Sequence, residues 1–346
     1  MDSNQLLCIV VKTDRDDLTE YLLQTGSDAK YADENGKCVL FHAFDGNKSV
    51  EQIKKLIAYD VDLNVTYNGN TILDLECAKL EPNLKLIKLL MDNWADANTT
   101  NDKTTPLAIL TVRNNIAGVK LMLSYPSVDV NQTCNNGVTA LRFACSMGYL
   151  TIVMLLLDAG ADANLQGTWG STPLMRAIDR GHTDLVPIIL QHKVAINLQD
   201  AAGFTALHHA CSKDQIASVY HLLCAGADLT VKDNEGKTAI EYCTLSETKW
   251  IIDNKQSGEN KEEHVSKYFK SPRSNDGLLG YAGSKYQTWN YTSKCWTEFK
   301  NFPWIGKVNC EYTEEKMQYH QVEHVRIRFN YILRTDGTKI ENPYID

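Results

Sequence analysis

The chain has 346 residues, 43% of them apolar and 23% charged, with a net charge of −8, enough to bury a core in two modest domains or one array. No run approaches the roughly 18–20 apolar residues of a membrane helix, and the opening MDSNQLLCIVVKTDRDD lacks the basic flank and long apolar centre of a signal peptide. A cytosolic protein with no membrane partner is therefore expected, in the host cytosol if it is an effector, with the nucleus left open.

The acidity is uneven: through residue 255 there are 22 Lys+Arg against 31 Asp+Glu, and afterwards 13 against 12. Such a surface repels nucleic acid at long range, so duplex DNA is not an expected partner and any polyanion would need a local patch of positive charge. The ten cysteines never fall two or three residues apart, which removes a zinc knuckle and a CxxC redox pair. No metal or other cofactor is expected.

In chain order, SNQLLCIVVKTDRDDLTEYLLQTGSDAKY reads as two helices that lack a leading turn. Gly36 and Gly69 then open two turns 33 residues apart. Residues 74–85, DLECAKLEPNLK, carry about two extra residues, and Lys103-Thr104-Thr105-Pro106 lacks the turn glycine. From there the interval is regular, with Gly137, Gly170, Gly203 and Gly236 each 33 apart and Asn131, Asn164 and Asn197 keeping the same spacing. Each unit reads as a turn, a first helix opened by Thr with Pro or Ala, a break, and a second helix such as TIVMLLLDAG closed by glycine. A truncated last unit ends near SETKWIIDN. Neither helix could bury its apolar stripe alone, so units must stack on their neighbours.

From Asp253 to Asn275 the periodicity is lost, and residues 254–277 read as a linker. Residues 278–346 form an aromatic-rich segment: fifteen of the chain's thirty aromatics lie between Tyr268 and Tyr344. HVRIRFNYILRTDG alternates with period two and ends on a tight-turn Asp-Gly, predicting a small β-rich (α+β) domain. Two motifs do not survive scrutiny. His320-Gln-Val-Glu-His324 spells an inverted zinc-protease signature but runs straight into a strand pattern. Gly236-Lys237-Thr238 resembles the end of a phosphate loop but has Val231 where the first glycine must stand.

Thr172-Pro173-Leu174-Met175-Arg176-Ala177 and Thr205-Ala206-Leu207-His208-His209-Ala210 resemble the T-P-L-H-x-A pattern of the ankyrin repeat. The resemblance covers residues 1–253 and implies an α solenoid of about seven or eight units. It also implies a concave groove lined by turn tips and first helices, which binds rather than catalyses. In that register Cys77, Cys145 and Cys211 are small core residues, His208 bonds backbone across units, and Asn64, Asn98, Asn131, Asn164 and Asn197 satisfy loop backbone.

Two sets are left over for recognition. Arg113, Met147, Arg180 and Lys213 end successive first helices, and Trp169 stands at a turn tip with Phe204 just past its glycine. Arg and Trp are frequent interface anchors, so a protein or peptide of acidic character is the expected partner, in an adaptor, effector or inhibitor. Cations beside aromatic faces also suit phosphates and stacked bases. That set is similar to the ankyrin sensor of 2′,5′-oligoadenylates, so the alternative is a sensor, sequestering protein or enzyme for an oligonucleotide or ADP-ribose compound. Residues 289–299, WNYTSKCWTEF, resemble the opening of a WWE domain. They place Trp289, Trp296, Arg326 and Arg328 among the candidate contacts of the C-terminal domain. The expected function is non-enzymatic.

Overall fold

A computed structural model of the chain describes residues 2–13, 15–100, 104–134 and 137–256, with four short strands further on. Two compact units divide it, Met1–Asn260 and Lys261–Asp346.

Seven α-helical pairs, followed by a 3-10 turn and a last helix, succeed one another among the described residues of the first unit. They are α1 (Ser3–Val10) with α2 (Asp16–Gln24), α3 (Val39–Asp45) with α4 (Val50–Ile57), α5 (Ile72–Cys77) with α6 (Leu84–Asp92), and α7 (Pro106–Val112) with α8 (Ile116–Leu123). Then come α9 (Ala140–Met147) with α10 (Leu150–Asp158), α11 (Pro173–Asp179) with α12 (Leu185–Ile189), and α13 (Ala206–Ser212) with α14 (Ile216–Cys224). A 3-10 turn, Ala239–Tyr242, precedes the last helix, α15 (Ser246–Gln256), which runs past the boundary expected at 253.

The first helices begin where the sequence puts a threonine. Thr71, Thr105, Thr139, Thr172 and Thr205 each accept the amide three residues on, at 3.2–3.4 Å, satisfying a donor the helix cannot. Stacking follows from the apolar slots that come next. Leu141, Ala144 and Cys145 of α9, Leu174, Ala177 and Ile178 of α11, and Leu207, Ala210 and Cys211 of α13 are at most 1% exposed. Helix α9 packs on α7 and α11, and α11 on α13, while the second helices form a parallel row from α4 to α15. Each stripe is thus buried by its neighbours, as the short period requires. The thiols of Cys77 and Cys145 are pushed up by burial and are packing groups.

Polar groups finish the joints. The Oδ1 atoms of Asn64, Asn98, Asn131, Asn164 and Asn197 accept amides 31 or 32 residues on, at 2.6–2.9 Å. Asn98 and Asn164 also donate to carbonyls of the next unit, at 2.8 and 2.7 Å. His208 bonds Thr205 Oγ1 at 2.9 Å through Nδ1 and the Lys237 carbonyl at 3.3 Å through Nε2.

The irregular third unit has its own device. Glu76 stands in the slot that Ala144, Ala177 and Ala210 fill in later units, and it is fully buried. One of its oxygens accepts the Asn83 amide at 2.6 Å, across the extra residues of the loop, and the other lies 2.7 Å from Lys79 Nζ. The ammonium of Lys79 also sits 4.2 Å from the centre of the Phe44 ring. A buried carboxylate therefore fastens an enlarged loop to the first helix of its unit.

In the second unit β1 (Gln287–Asn290) pairs antiparallel with β2 (Cys295–Glu298), setting Trp289 opposite Trp296. Strand β3 (Tyr331–Leu333) pairs antiparallel with β4 (Lys339–Glu341). The strand expected from the alternating run is present at 331–333. These two hairpin-like pairs are all the strand structure among the described residues, so a whole β-rich domain is not established. Arg326, Arg328, His320 and His324, and the linker beyond Gln256, lie outside the described residues.

Candidate interaction site

Three turns of the array share one construction. Asp33, Asp200 and Asp233 each accept two backbone amides through Oδ1: Asn35 and Lys37, Ala202 and Phe204, and Glu235 and Lys237, all at 2.8–3.0 Å. The other oxygen meets a side chain nine residues on, His42 at 2.9 Å, His209 at 2.8 Å, and the Tyr242 hydroxyl. Each turn thus carries its own carboxylate, which neutralises the amides that a tight turn leaves over.

The turn of the sixth unit departs from this plan. Gly167 stands where those aspartates stand, so Trp169 and Ser171 have no carboxylate to receive their amides. Into the freed space comes Arg142 from the preceding unit, in the slot of His208. Its Nη2 donates to the Thr168 carbonyl at 3.2 Å and to Ser171 Oγ at 2.9 Å. The fit is close: a Cβ on Gly167 would lie 2.5 Å from Arg142 Nη1 and 2.9 Å from the Gly137 carbonyl. Arg142 is 6% exposed, and its Nε is buried with no partner among the described residues. Burial, and then the like charge of Arg176, lower its pKa.

Without the aspartate the tip takes another path. Trp169 has a φ of 65°, a left-handed conformation that a bulky side chain rarely adopts, and it is 80% exposed. Its backbone is held, since the Trp169 carbonyl accepts the Ala201 amide of the next tip at 2.8 Å. A fixed main chain thus presents a bare indole to solvent, where its large apolar area gains nothing from packing.

The cationic stripe lies at the other end of the first helices. Arg113, Arg180 and Lys213 cap the C-termini of α7, α11 and α13, and Met147 is the last residue of α9; all four are exposed. From the Thr172 cap to Arg180 is about 12 Å along the helix, so the indole and the stripe are not one cluster. Between them runs a line of charges. His209 Nδ1 lies 2.9 Å from Asp179 and Nε2 lies 2.8 Å from Asp200, so both ring nitrogens must donate and the imidazole is a cation. Burial alone would lower its pKa, but the two carboxylates outweigh burial and raise it. Burial opposes ionisation of Asp179 too, yet His209, with Lys213 and Arg176 adding their charge, holds it below the usual carboxylate range.

One expectation needs revision, and one residue is added. Phe204 is half-buried, with its ring centre 5.4 Å from His208, 5.5 Å from His209 and 5.0 Å from Tyr242, so it packs the turn and is no free anchor. Trp94 is a further exposed aromatic outside the expected set, 86% exposed with a φ of 66°. It stands where Gly26, Gly160 and Gly226 stop other second helices, a substitution visible by aligning NWADAN with AGADAN.

Among the described residues no helix is long and apolar enough to cross a membrane. Residues 75–167 and 156–233 match the family model described as ankyrin repeats (3 copies). A putative ankyrin repeat protein of Acanthamoeba polyphaga mimivirus is 25% identical over 204 residues, covering 47% of this chain and 26% of that protein. The nuclear factor NF-kappa-B p105 subunit of Gallus gallus is 26% identical over 168 residues, covering 46% and 17%. The transient receptor potential cation channel subfamily A member 1 of Homo sapiens is 27% identical over 140 residues, covering 40% and 12%. The chain thus spans about a quarter or less of the length of these curated relatives. None of this supports a WWE domain at residues 289–299. Ankyrin repeats generally mediate protein–protein interaction, and the phased caps, buried slots and inter-unit asparagines agree with the family match: this chain carries an array of ankyrin repeats.

Proposed function

We propose that the array is a non-enzymatic binding module for an acidic segment of a partner protein, which lies along the first helices and the turn tips. The observation that carries this reading is Trp169, an 80% exposed indole on a left-handed backbone that the next tip holds in place. A side chain that stabilises nothing at a strained position is explained by a contact made outside the chain. Arg113, Arg180 and Lys213 supply the positive charge, and Met147 an adaptable apolar contact among them. Because the chain as a whole is acidic, attraction must be local and short in range, so the complex should weaken steeply with salt.

The test is fluorescence anisotropy with a labelled hexaglutamate peptide, hexaglutamine serving as the uncharged control. Binding of the acidic peptide, weakened tenfold or more by Arg113→Glu with Arg180→Glu at unchanged melting temperature, supports the reading. Equal affinity in wild type and variant overturns it. Stabilisation by oligoadenylate or ADP-ribose in a thermal-shift series, with no response to hexaglutamate, would favour a small-ligand sensor instead.

A further inference from the structure

The Gly167 turn is the one described turn of the array in which two arginines replace the acidic staple. In three other turns a carboxylate from the chain itself occupies this place: Asp33, Asp200 and Asp233 each accept two amides and a side-chain donor nine residues on, whereas Thr66 and Cys134 stand there in two more. At Gly167 the corresponding positions hold Arg142 beneath the turn and Arg176 in the slot of His209 and Tyr242. Arg176 stays partly exposed, and its nearest carboxylate is Asp179 at 3.7 Å, which is itself engaged by His209 at 2.9 Å. Counting the groups around the turn, Arg142, Arg176 and His209 face Asp179 and Asp200, which leaves one positive charge in excess. An arginine 94% shielded from water with an unpartnered Nε is costly unless an anion comes near.

We infer that the Gly167–Ser171 turn, with Arg176 at its rim, Arg142 beneath and the Trp169 indole beside it, is a docking site for one carboxylate side chain of the partner segment. The partner restores from outside the charge that the turns at Asp33, Asp200 and Asp233 carry within. The chemistry fits in detail. A planar guanidinium takes a carboxylate in a two-point fork, and the exposed indole gives the adjoining methylene groups an apolar wall. The inference rests on the acidic-partner reading above and gives it an address at the tips, about 12 Å from the stripe at the helix ends.

The site predicts that a carboxylate built into the turn should displace the partner. The double variant Arg142→His with Gly167→Asp recreates the arrangement of His208 and Asp233, and it removes the contact that a Cβ at 167 would otherwise make with the guanidinium. Measured on the full chain with labelled hexaglutamate, we expect binding to fall tenfold or more in protein that remains folded, with a modest drop in melting temperature from the 2.9 Å approach of the new Cβ to the Gly137 carbonyl. Arg176→Gln, at a partly exposed position that leaves the core untouched, should weaken binding several-fold and covers the case in which the double variant fails to fold. If both turn variants bind as wild type while Arg113→Glu with Arg180→Glu does not, this site is wrong and the groove reading stands. If the turn variants lose binding and the stripe variant keeps it, the site stands and the stripe drops out. Wild-type protein that ignores hexaglutamate, or binding that survives every variant, removes both.

Discussion

Glu76 offers the sharpest check on how the array absorbs its irregular unit. Replacing it by alanine restores the residue type of the same slot in later units, which by packing alone should be harmless. The structure implies the opposite. The substitution deletes a 2.6 Å bond to the Asn83 amide and strips Lys79 of a carboxylate at 2.7 Å. A hydrogen bond to a charged acceptor contributes about 1.5–3 kcal/mol, and because Asn83 is exposed, water can meet part of what its amide loses. Lys79 is 39% exposed, so water recovers most of its share of the ion pair. Glu76→Ala should therefore lose about 2 kcal/mol, and Glu76→Gln, which keeps an acceptor for Asn83, about 1 kcal/mol. Urea titration gives the global figure, and amide exchange gives the local one, because the Asn83 amide should lose protection in the alanine variant and keep it in the glutamine variant. An alanine variant as stable as wild type, with Asn83 still protected, would show that the loop is held by something else.

Four further outcomes follow from single positions. Leu174→Ala, in a slot 1% exposed, should destabilise by about 2–5 kcal/mol in thermal melts and leave hexaglutamate affinity unchanged; loss of affinity in folded protein would contradict the separation of core from surface. His209 has a folded pKa above its ordinary 6.5, so its stabilising contribution is complete below about pH 6.5 and fades as pH rises through the folded value. Asp179 is held below 3.8, so its share is present above about pH 4 and is lost in stronger acid. NMR titration of the imidazole should place the midpoint above 6.5, and a midpoint below it refutes the double-donor geometry. Trp94→Gly should raise stability by about 0.5–1 kcal/mol, since glycine accepts the left-handed backbone that the indole must be forced into, and an equal loss in melting would mean that the indole packs after all.

Much of the fold was legible because it repeats. A spacing of 33 fixes the phase of every side chain, and with the phase come the caps at Thr139, Thr172 and Thr205, the buried cysteines, and the asparagines that join units. What escaped depends on contacts between different phases. The extra residues at 74–85 were plain, but that Glu76 would fold inward to hold them needs the loop's path. Phe204 read as a tip residue because sequence gives its position and not the three rings around it. In the sequence Arg142 and Gly167 are two separate departures from the residues found at the same places in other units. Only their approach across 25 residues makes them one event. The C-terminal segment has no such period to lean on, and its alternation sufficed to place a strand at Tyr331–Leu333 and little more.

The loop asparagines have a mechanical corollary. Each ties its unit to the one that follows, so tension applied to the ends of the array would be carried in series through weak links of similar make. Pulled from its termini, such a chain should yield one period at a time, each rupture releasing about 110 Å of slack. The third unit, clamped by its carboxylate, should be among the late ones to give way.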